Sequence, residues 1–433
     1  MNVGLIDDGS SVEGSYQSLL LAILMTIILA GALPLLSSGF RGLTWMVWLL
    51  TYFLLYLAAR KQPLGQLLKP ALPYLVWLLF YLAWGLIVSP LHDVLFAAKT
   101  LVLTVTLTAC MAVLTARPGA LRIFASVVQF AVAGNLLVLI LCVRWPGFAA
   151  VVDAATGSTD PFRLGITRFA GLWGNPNMAG YICLLATLLS VLAVPWIGWL
   201  GRLSCLPILF LSASRKAFLL YGFLLLLHLL LVSGRSLRTW LVAGFVGAGL
   251  ALAITLSGGA LRSSQPMADN VLLARILDVS ETTTSDMGGE TRYTLLKQWT
   301  RTLAVAPWHG YGLGTMAGTL YDNKDPFKVV SKGLYPVGAH NTYLGLWIEV
   351  GPFGALAFLV VMLHYARKSW FLHGQPSARW VCAGLVMCNL IVLLVSHSHL
   401  FCLEGQMAFG LMFVLPSCAG LPALTGKPRP ERG

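Results

Sequence analysis

The chain has 433 residues, of which 58% are hydrophobic and 10% are charged, and its formal net charge is +13. Soluble domains carry about 25% charged residues, so this composition excludes an ordinary soluble protein. Apolar runs of about 20 residues recur along the whole length, and such a run is long enough to cross a hydrocarbon core. The alternating pattern of a transmembrane β-barrel does not occur. The sequence therefore predicts an all-α, polytopic integral membrane protein.

About twelve transmembrane helices are predicted from the apolar runs. The first 17 residues contain three acidic residues and no basic one, unlike the start of a cleavable signal peptide, so the first run is expected to remain as a span. The predicted spans are residues 18–37, 42–59, 71–89, 94–116, 120–143, 176–194, 196–212, 216–233, 239–257, 341–364, 380–398 and 400–418. This divides the chain into nine spans within 18–257, a loop at 258–340, three spans within 341–418 and a tail at 419–433.

Lysine and arginine are distributed unequally between the loops. Loops and helix ends on one side carry Arg60, Lys61, Lys69, Arg117, Arg122, Arg202, Arg235, Arg238, Arg367, Lys368 and Arg379, whereas the short loops on the other side carry Arg41, Arg215 and Lys216. Because cytoplasmic loops are enriched in these residues, the first side and both termini are expected to be cytoplasmic. The positive charge is thus mainly a topology signal. Membrane lipids are the expected surroundings, and no nucleic-acid partner is expected.

Two long connections are then expected on the outer side, residues 144–175 and the 83-residue loop 258–340. Within the larger one, residues 291–306 have the spacing of a helix, which Pro307 should end. This loop contains eight Lys/Arg and seven Asp/Glu. It is therefore not a broad basic patch, and any anion site must be formed locally by selected arginines.

Several basic residues lie close to the expected outer surface. Arg215 and Lys216 stand between two apolar spans with almost no loop around them. Such charges mark functional sites by default, although snorkelling to the lipid headgroups is an alternative explanation. Asn175 and Pro176 are typical of a helix start, and Arg168 lies just before them. An ordinary cap and a binding role for this stretch both remain open.

His340 immediately precedes another predicted helix start at Asn341. It can serve as a base near neutral pH, or it can have a purely structural role such as helix capping.

His397 and His399 are weak candidates for metal ligands because no carboxylate pair accompanies them. Asp322 and Asp325 are the nearest carboxylates, and the chain contains no Asp-x-Asp pair. Metal independence is therefore expected, and the cysteines offer no disulfide framework because all of them lie in apolar segments.

Four segments together resemble the bacterial O-antigen ligase family. They are RFAGLWGNPNMAGY (168–181), SASRKAF (212–218), ETRYTLLKQWTRTLAVAPWHGYGLG (290–314) and AHNTYLGLWIEVGPFGAL (339–356). The resemblance covers roughly residues 160–360. It implies a GT-C-like fold with a large, partly helical periplasmic loop, in a multi-pass protein of the bacterial inner membrane with a periplasmic active site.

The resemblance also implies an activity and its residues. Such ligases are inverting glycosyltransferases that move a polysaccharide from undecaprenyl pyrophosphate to a sugar hydroxyl of lipid A–core in lipopolysaccharide biosynthesis, with no cofactor or metal. His340 is the catalytic residue that it implies, and Arg215, Arg292 and Arg168 are the pyrophosphate-binding residues. Lys216 stands where a small residue is more usual in the family, and it could add a contact to phosphate.

Three other functions remain open from the sequence. O-antigen polymerases and protein O-oligosaccharyltransferases share these motifs with the ligases. A transporter or flippase for a lipid-linked glycan belongs to a different class, and it should contain repeats and broken helices with charges near the bilayer midplane. In this chain the unusual charges gather at the outer edge instead.

Overall fold

The structure is a computed structural model that describes residues 20–25, 27, 41–59, 63–89, 94–156, 168–212, 214–232, 300, 303–304, 306–313, 320–321, 329–330, 341–372, 376–396, 399–400 and 402–418. Most of this part is helical. Its helices are α1 (Arg41–Ala59), α2 (Leu64–Leu68), α3 (Leu72–Val88), α4 (Val94–Ala116), α5 (Pro118–Arg144), α6 (Pro146–Thr156), α7 (Pro176–Leu189), α8 (Pro195–Ser212), α9 (Arg215–Val232), α10 (Thr342–Trp370), α11 (Pro376–Val395) and α12 (Leu403–Cys418). Residues 20–25 and 27 are also helical, Lys69–Ala71 and Gly171–Trp173 form 3-10 turns, and two-residue strands β1 (Leu320–Tyr321) and β2 (Val329–Val330) pair antiparallel.

Several of these helices are suited to a membrane. Among the described residues, five helical stretches are long and apolar enough to cross one: Leu64–Val88, Val94–Ala116, Gly119–Arg144, Thr342–Trp370 and Pro376–Leu394. Shorter apolar helices occur at Met46–Leu57, Pro176–Leu189 and Lys216–His228. The prediction of a helical membrane protein is therefore confirmed. The count of twelve spans and the GT-C-like fold stay predictions; the span predicted at 239–257 lies outside the described residues, as does most of 18–37.

The boundary between α7 and α8 differs from the prediction. A span was expected to run to residue 194, but α7 ends at Leu189 and residues 190–194 form a turn. Proline disfavours helical geometry in the residue before it, and Pro195 therefore starts a new helix at this point. Gly198 allows the turn to close, since an added Cβ there would lie 2.3 Å from the Ser190 carbonyl oxygen.

Buried indole groups connect helices that are far apart in the sequence. The Trp77 Nε1–H of α3 donates to the Gly354 carbonyl of α10 at 3.0 Å, and the Trp380 Nε1–H of α11 donates to the Leu224 carbonyl of α9 at 3.1 Å. Because an unsatisfied polar group is costly in an apolar interior, these bonds help to fix how the helices align.

Polar contacts also join helix ends that the topology assigns to the same side. The Tyr365 hydroxyl, late in α10, donates to the Pro70 carbonyl just before α3. The Lys368 Nζ donates to the Ser417 hydroxyl near the end of α12. The opposite end of the bundle, at which α7, α9 and α10 begin, is called the outer end below because the sequence predicts that it faces the periplasm.

Helix α10 is broken near its middle. Gly351 has φ 75° and ψ 176°, and Pro352 follows it. Pro352 has no N–H, so the Ile348 carbonyl loses its helical donor. The Tyr311 N–H, from the segment 306–313, donates to that carbonyl at 2.8 Å instead. The break in α10 thus provides an attachment point for this segment.

The segment 306–313 is held by α3 as well. The Gly312 N–H donates to the Glu349 carbonyl, the Leu313 N–H donates to the Gly85 carbonyl at 2.7 Å, and the Ser89 hydroxyl donates to the Leu313 carbonyl. These residues are irregular, as expected after a helix that Pro307 ends. The C-terminal part of the motif at 290–314 is therefore fixed between α3 and α10.

Candidate functional site

The start of α7 has the cap that the sequence predicts. The side-chain oxygen of Asn175 accepts hydrogen bonds from the main-chain N–H groups of Asn177 at 2.8 Å and Met178 at 3.4 Å. Gly174, with φ 62°, turns the chain into this cap, and a Cβ there would lie 2.7 Å from the Thr156 carbonyl oxygen. The conformation of this motif therefore depends on glycine and asparagine at these positions.

The starts of α7 and α9 approach each other closely. A Cβ added to Gly180 would lie 2.7 Å from the Cβ of Ala217 and 3.1 Å from that of Ser214. Because real Cβ atoms do not approach so closely, glycine is needed opposite these two small residues. The motif at 168–181 and the motif at 212–218 are thereby brought together at the outer end.

Arg168 connects the same two motifs through its guanidinium group. Its Nε–H donates to the Ser212 carbonyl at 2.8 Å, and its Nη2 donates to the Asn177 side-chain oxygen at 2.9 Å. The Ser214 hydroxyl donates to the same oxygen at 3.3 Å. The main chain beside it is also bonded, since the Phe169 N–H donates to the Leu211 carbonyl. Arg168 therefore fixes the turn from which Arg215 and Lys216 emerge.

The connection between α11 and α12, of which the structure describes residues 396, 399, 400 and 402, is called the α11–α12 turn below. It holds a buried histidine, His399, which is 3% exposed. Its Nε2 bonds the side-chain oxygen of Asn389 at 3.0 Å, and the Tyr181 hydroxyl donates to that same oxygen at 2.9 Å. The Tyr181 and His399 rings meet edge to face with centroids 4.5 Å apart. The imidazole is therefore held from α7 and α11 at once.

Lys216 lies close enough to His399 to affect its titration. Burial first, and the positive charge of Lys216 second, lower the pKa of the His399 imidazole to about 3 from its usual value near 6.5. A general base works best when its pKa lies near the working pH. His399 is thus an uncharged side chain with poor properties for a base, and it lies beside a cation.

The same turn contacts the start of α10. The Thr342 hydroxyl donates to the Ser396 carbonyl, and the Asn341 side-chain oxygen accepts from the Leu344 N–H at 3.1 Å to cap the helix. The predicted helix start at Asn341 is therefore confirmed. Tyr181 of α7 and Thr342 of α10 therefore both meet this turn, and the start of α9 is joined to α7 through Gly180.

The structure describes only some of the residues predicted for the site. Arg168 and Lys216 lie at the outer end with the contacts given above. Arg215 is the first residue of α9, but its side chain lies outside the described part. Arg292 and His340 lie outside it as well, so their meeting with Arg215 stays a prediction. A cluster of His, Cys, Asp or Glu suited to a metal ion is absent from the described residues, and this leaves the expected metal independence untested.

The sequence analysis missed several polar residues of this region. Asn177 and Ser214 lie within two of the quoted motifs, but as uncharged residues they were given no role there. Asn389 lies in an apolar run outside the motifs. Glu349 is different, because it is an acidic residue within an apolar run and is 2% exposed. Its carboxylate accepts a short hydrogen bond from the Tyr81 hydroxyl. The cost of an ionisable group inside a membrane span could have identified it.

Comparison with known protein families identifies a related family. Residues 200–359 match the family model described as O-antigen ligase. The matched residues include the motif at 212–218, the segment 306–313 and the first half of α10. The same comparisons find no match among curated proteins or among solved structures.

Proposed function

Residues 200–359 place this chain in the O-antigen ligase family, and on that premise we propose that it is an O-antigen ligase of the bacterial inner membrane. Family membership supports an enzyme of the O-antigen ligase and polymerase type. Our proposal is more specific: it transfers polysaccharide from undecaprenyl pyrophosphate to a sugar hydroxyl of lipid A–core. The reaction would take place at the outer end of the bundle, on the periplasmic side.

The observation that supports this proposal is the convergence of helix starts and basic residues at the outer end. Arg168 and Lys216 lie where α7, α9 and α10 begin, and a helix N-terminus favours a bound anion. Arginine is suited to phosphate because its planar fork can contact two oxygen atoms. In our proposal, Arg215, Arg292 and Lys216 hold the pyrophosphate, and Arg168 supports the turn that carries two of them.

The proposed reaction is a single displacement at the anomeric carbon. The acceptor hydroxyl oxygen attacks C1 from the face opposite the phosphate, and the C1–O bond to the pyrophosphate breaks, so the configuration at C1 inverts. Undecaprenyl pyrophosphate leaves with the electron pair of that bond, and the arginines stabilise its charge. His340 accepts the proton of the acceptor hydroxyl. The family resemblance implies no metal or cofactor for this step.

The test is transfer by the purified protein in proteoliposomes that contain undecaprenyl-linked glycan and rough lipopolysaccharide. We expect ladder-type lipopolysaccharide and released undecaprenyl pyrophosphate, with no added metal and in the presence of EDTA. His340→Ala should lower the rate by a factor on the order of 10²–10⁴, because the proton acceptor is lost. His364→Ala is the control, since His364 is exposed near the other end of α10.

Other outcomes would point to the alternatives. Lipid movement across the bilayer without release of undecaprenyl pyrophosphate would indicate a transporter. In cells, deletion of a ligase should strand full-length glycan on undecaprenyl pyrophosphate and leave core lipopolysaccharide bare. Accumulation of single repeats would indicate a polymerase instead, and wild-type product from His340→Ala would refute the assignment of the base.

A further inference from the structure

His399 and its partners form a buried polar cluster that the proposed reaction does not use directly. We propose that His399 is a positioning residue: its ring, bound to Asn389, fixes the α11–α12 turn, and this turn sets the start of α10 relative to α7, which packs on the start of α9. The inference rests on the proposed function, because its purpose is to align Lys216 with the residue that precedes Asn341.

The first support is that the hydrogen bonds of Asn389, which holds the His399 ring, have fixed donors and acceptors. The Asn389 side-chain oxygen can only accept, so both the Tyr181 hydroxyl and the His399 Nε2 must donate to it. The other end of the amide, Nδ2, donates to the Leu385 carbonyl at 2.9 Å, which fixes the amide orientation. The proton of the neutral imidazole is therefore on Nε2, and the ring cannot turn without breaking a buried hydrogen bond.

The second support is that the turn is packed tightly against α12. A Cβ added to Gly405 would lie only 1.9 Å from the His399 carbonyl oxygen. The Gln406 N–H donates to the Cys402 carbonyl at 2.9 Å, and the Cys402 thiol donates to the His399 carbonyl at 3.4 Å. Because these contacts hold the main chain of His399 against α12, the ring cannot shift unless the main chain moves with it.

The third support is that two helix starts depend on this turn. The Thr342 hydroxyl donates to the Ser396 carbonyl, and the Thr342 side chain is buried at 3% exposure. Tyr181 of α7 meets the His399 ring and bonds its anchor Asn389, and α7 packs on the start of α9 at Gly180. A displaced turn would therefore move the start of α10 relative to the paired helices α7 and α9.

The charge state of His399 distinguishes a positioning residue from a general base. Protonation of His399 would put a second positive charge beside Lys216 in a buried site, which burial and repulsion both oppose. What the site requires is a neutral N–H donor at the Nε2 position. The side-chain amide of glutamine can present such a donor, so glutamine should replace this histidine, whereas it cannot replace a base.

The experiment compares His399→Ala, His399→Gln and Tyr181→Phe with the wild type in the proteoliposome transfer assay. We expect His399→Ala to lower kcat by a factor on the order of 10², the cost of misplaced reacting groups. We expect His399→Gln to lower it by no more than about threefold, because the neutral hydrogen bond is kept. Tyr181→Phe loses one of the two hydrogen bonds to Asn389, so its decrease in kcat should lie between those of His399→Ala and His399→Gln. The KM for acceptor should change less than kcat in all three.

His364→Gln is the matched control, because His364 lies exposed on α10 and should give wild-type kinetics. Should His399→Ala fail to fold, His399→Gln and Tyr181→Phe still decide the question. Equal loss in a folded His399→Gln and in His340→Ala would mean that the imidazole itself is needed, and it would overturn the positioning role. Full activity in His399→Ala would overturn it as well. An inactive wild type would instead reject the proposed function.

Discussion

At the scale of single residues, Asn177 connects two motifs that are separated by more than thirty positions in the chain. Its side-chain oxygen accepts both the Arg168 guanidinium at 2.9 Å and the Ser214 hydroxyl at 3.3 Å. The bond from Arg168 is the stronger of the two because its donor is charged. The orientation of Arg168, and with it the geometry of the turn before α9, therefore depends on a neutral amide.

Removing this amide should impair donor binding without removing any cation. We predict that Asn177→Ala raises the KM for undecaprenyl-linked donor by about ten- to a hundredfold, since a lost bond to a charged group costs roughly 1.5–3 kcal/mol. Arg168→Lys should have a similar effect, because lysine cannot bind the Ser212 carbonyl and Asn177 with one planar group. Initial rates at varied donor concentration measure both.

A double-mutant cycle tests whether the two residues act as one unit. Arg168→Ala with Asn177→Ala should be little worse than Arg168→Ala alone, since both changes remove the same bond. Arg122→Ala is the control, because Arg122 is an exposed arginine near the start of α5. Additive effects of the two substitutions would contradict the shared role.

At the scale of elements, helix starts were predictable from the sequence and helix interactions were not. Asn175 and Asn341 cap their own helices, so the signal lies within three residues of each start. The break at Gly351 was missed because the apolar pattern continues through it. What stabilises the break is the segment 306–313, about 40 positions earlier. Likewise, His399 contacts residues of α7 and α11, and no local sequence pattern predicts such contacts.

The contact between α7 and α9 leads to a prediction about Gly180. We expect Gly180→Ala to destabilise the protein by roughly 1–3 kcal/mol, because overpacking forces neighbouring atoms to move. The added Cβ would meet Ala217 at 2.7 Å and Ser214 at 3.1 Å. The shift should also displace the first turn of α9 and raise the KM for donor. Thermal unfolding in detergent and donor kinetics measure the two effects.

Gly222→Ala provides the matched control within α9. A Cβ at Gly222 would meet nothing within 4 Å, so the same substitution there should be neutral or slightly stabilising through helix propensity. Unchanged stability and kinetics in Gly180→Ala would mean that the two helix starts are not held as closely as described.

At the scale of the whole molecule, the contacts divide the described helix ends into two groups. The bonds of Tyr365 and Lys368 lie at one end, whereas the starts of α7, α9 and α10 lie at the other, together with Arg168 and Lys216. The distribution of lysine and arginine in the sequence predicts that the first end is cytoplasmic, and this orientation stays a prediction. The sequence could not predict that the α11–α12 turn would contact both α7 and the start of α10, because that depends on how the bundle packs.

The uncharged state of His399 predicts how the stability of the protein depends on pH. The unfolded chain should bind a proton at His399 below about pH 6.5, whereas the folded protein should not bind it until about pH 3. Between these values the unfolded state binds more protons. The free energy of unfolding should therefore fall as the pH falls, by up to about 1.4 kcal/mol per pH unit from this group.

Carboxylates titrate in part of the same range, so the contribution of His399 must be isolated with His399→Gln, which does not titrate. Thermal unfolding in detergent at pH 7.5, 6.0 and 5.0 should show the wild type losing stability relative to this variant as the pH falls. His364→Gln is the matched control and should follow the wild type, since His364 is an exposed residue late in α10. Lys216→Met should lose less stability as the pH falls, because removing the neighbouring cation raises the pKa of His399 in the folded state. Parallel curves for the wild type and His399→Gln would mean that the imidazole is protonated as easily in the folded protein as in the unfolded chain, and that it is not buried beside Lys216.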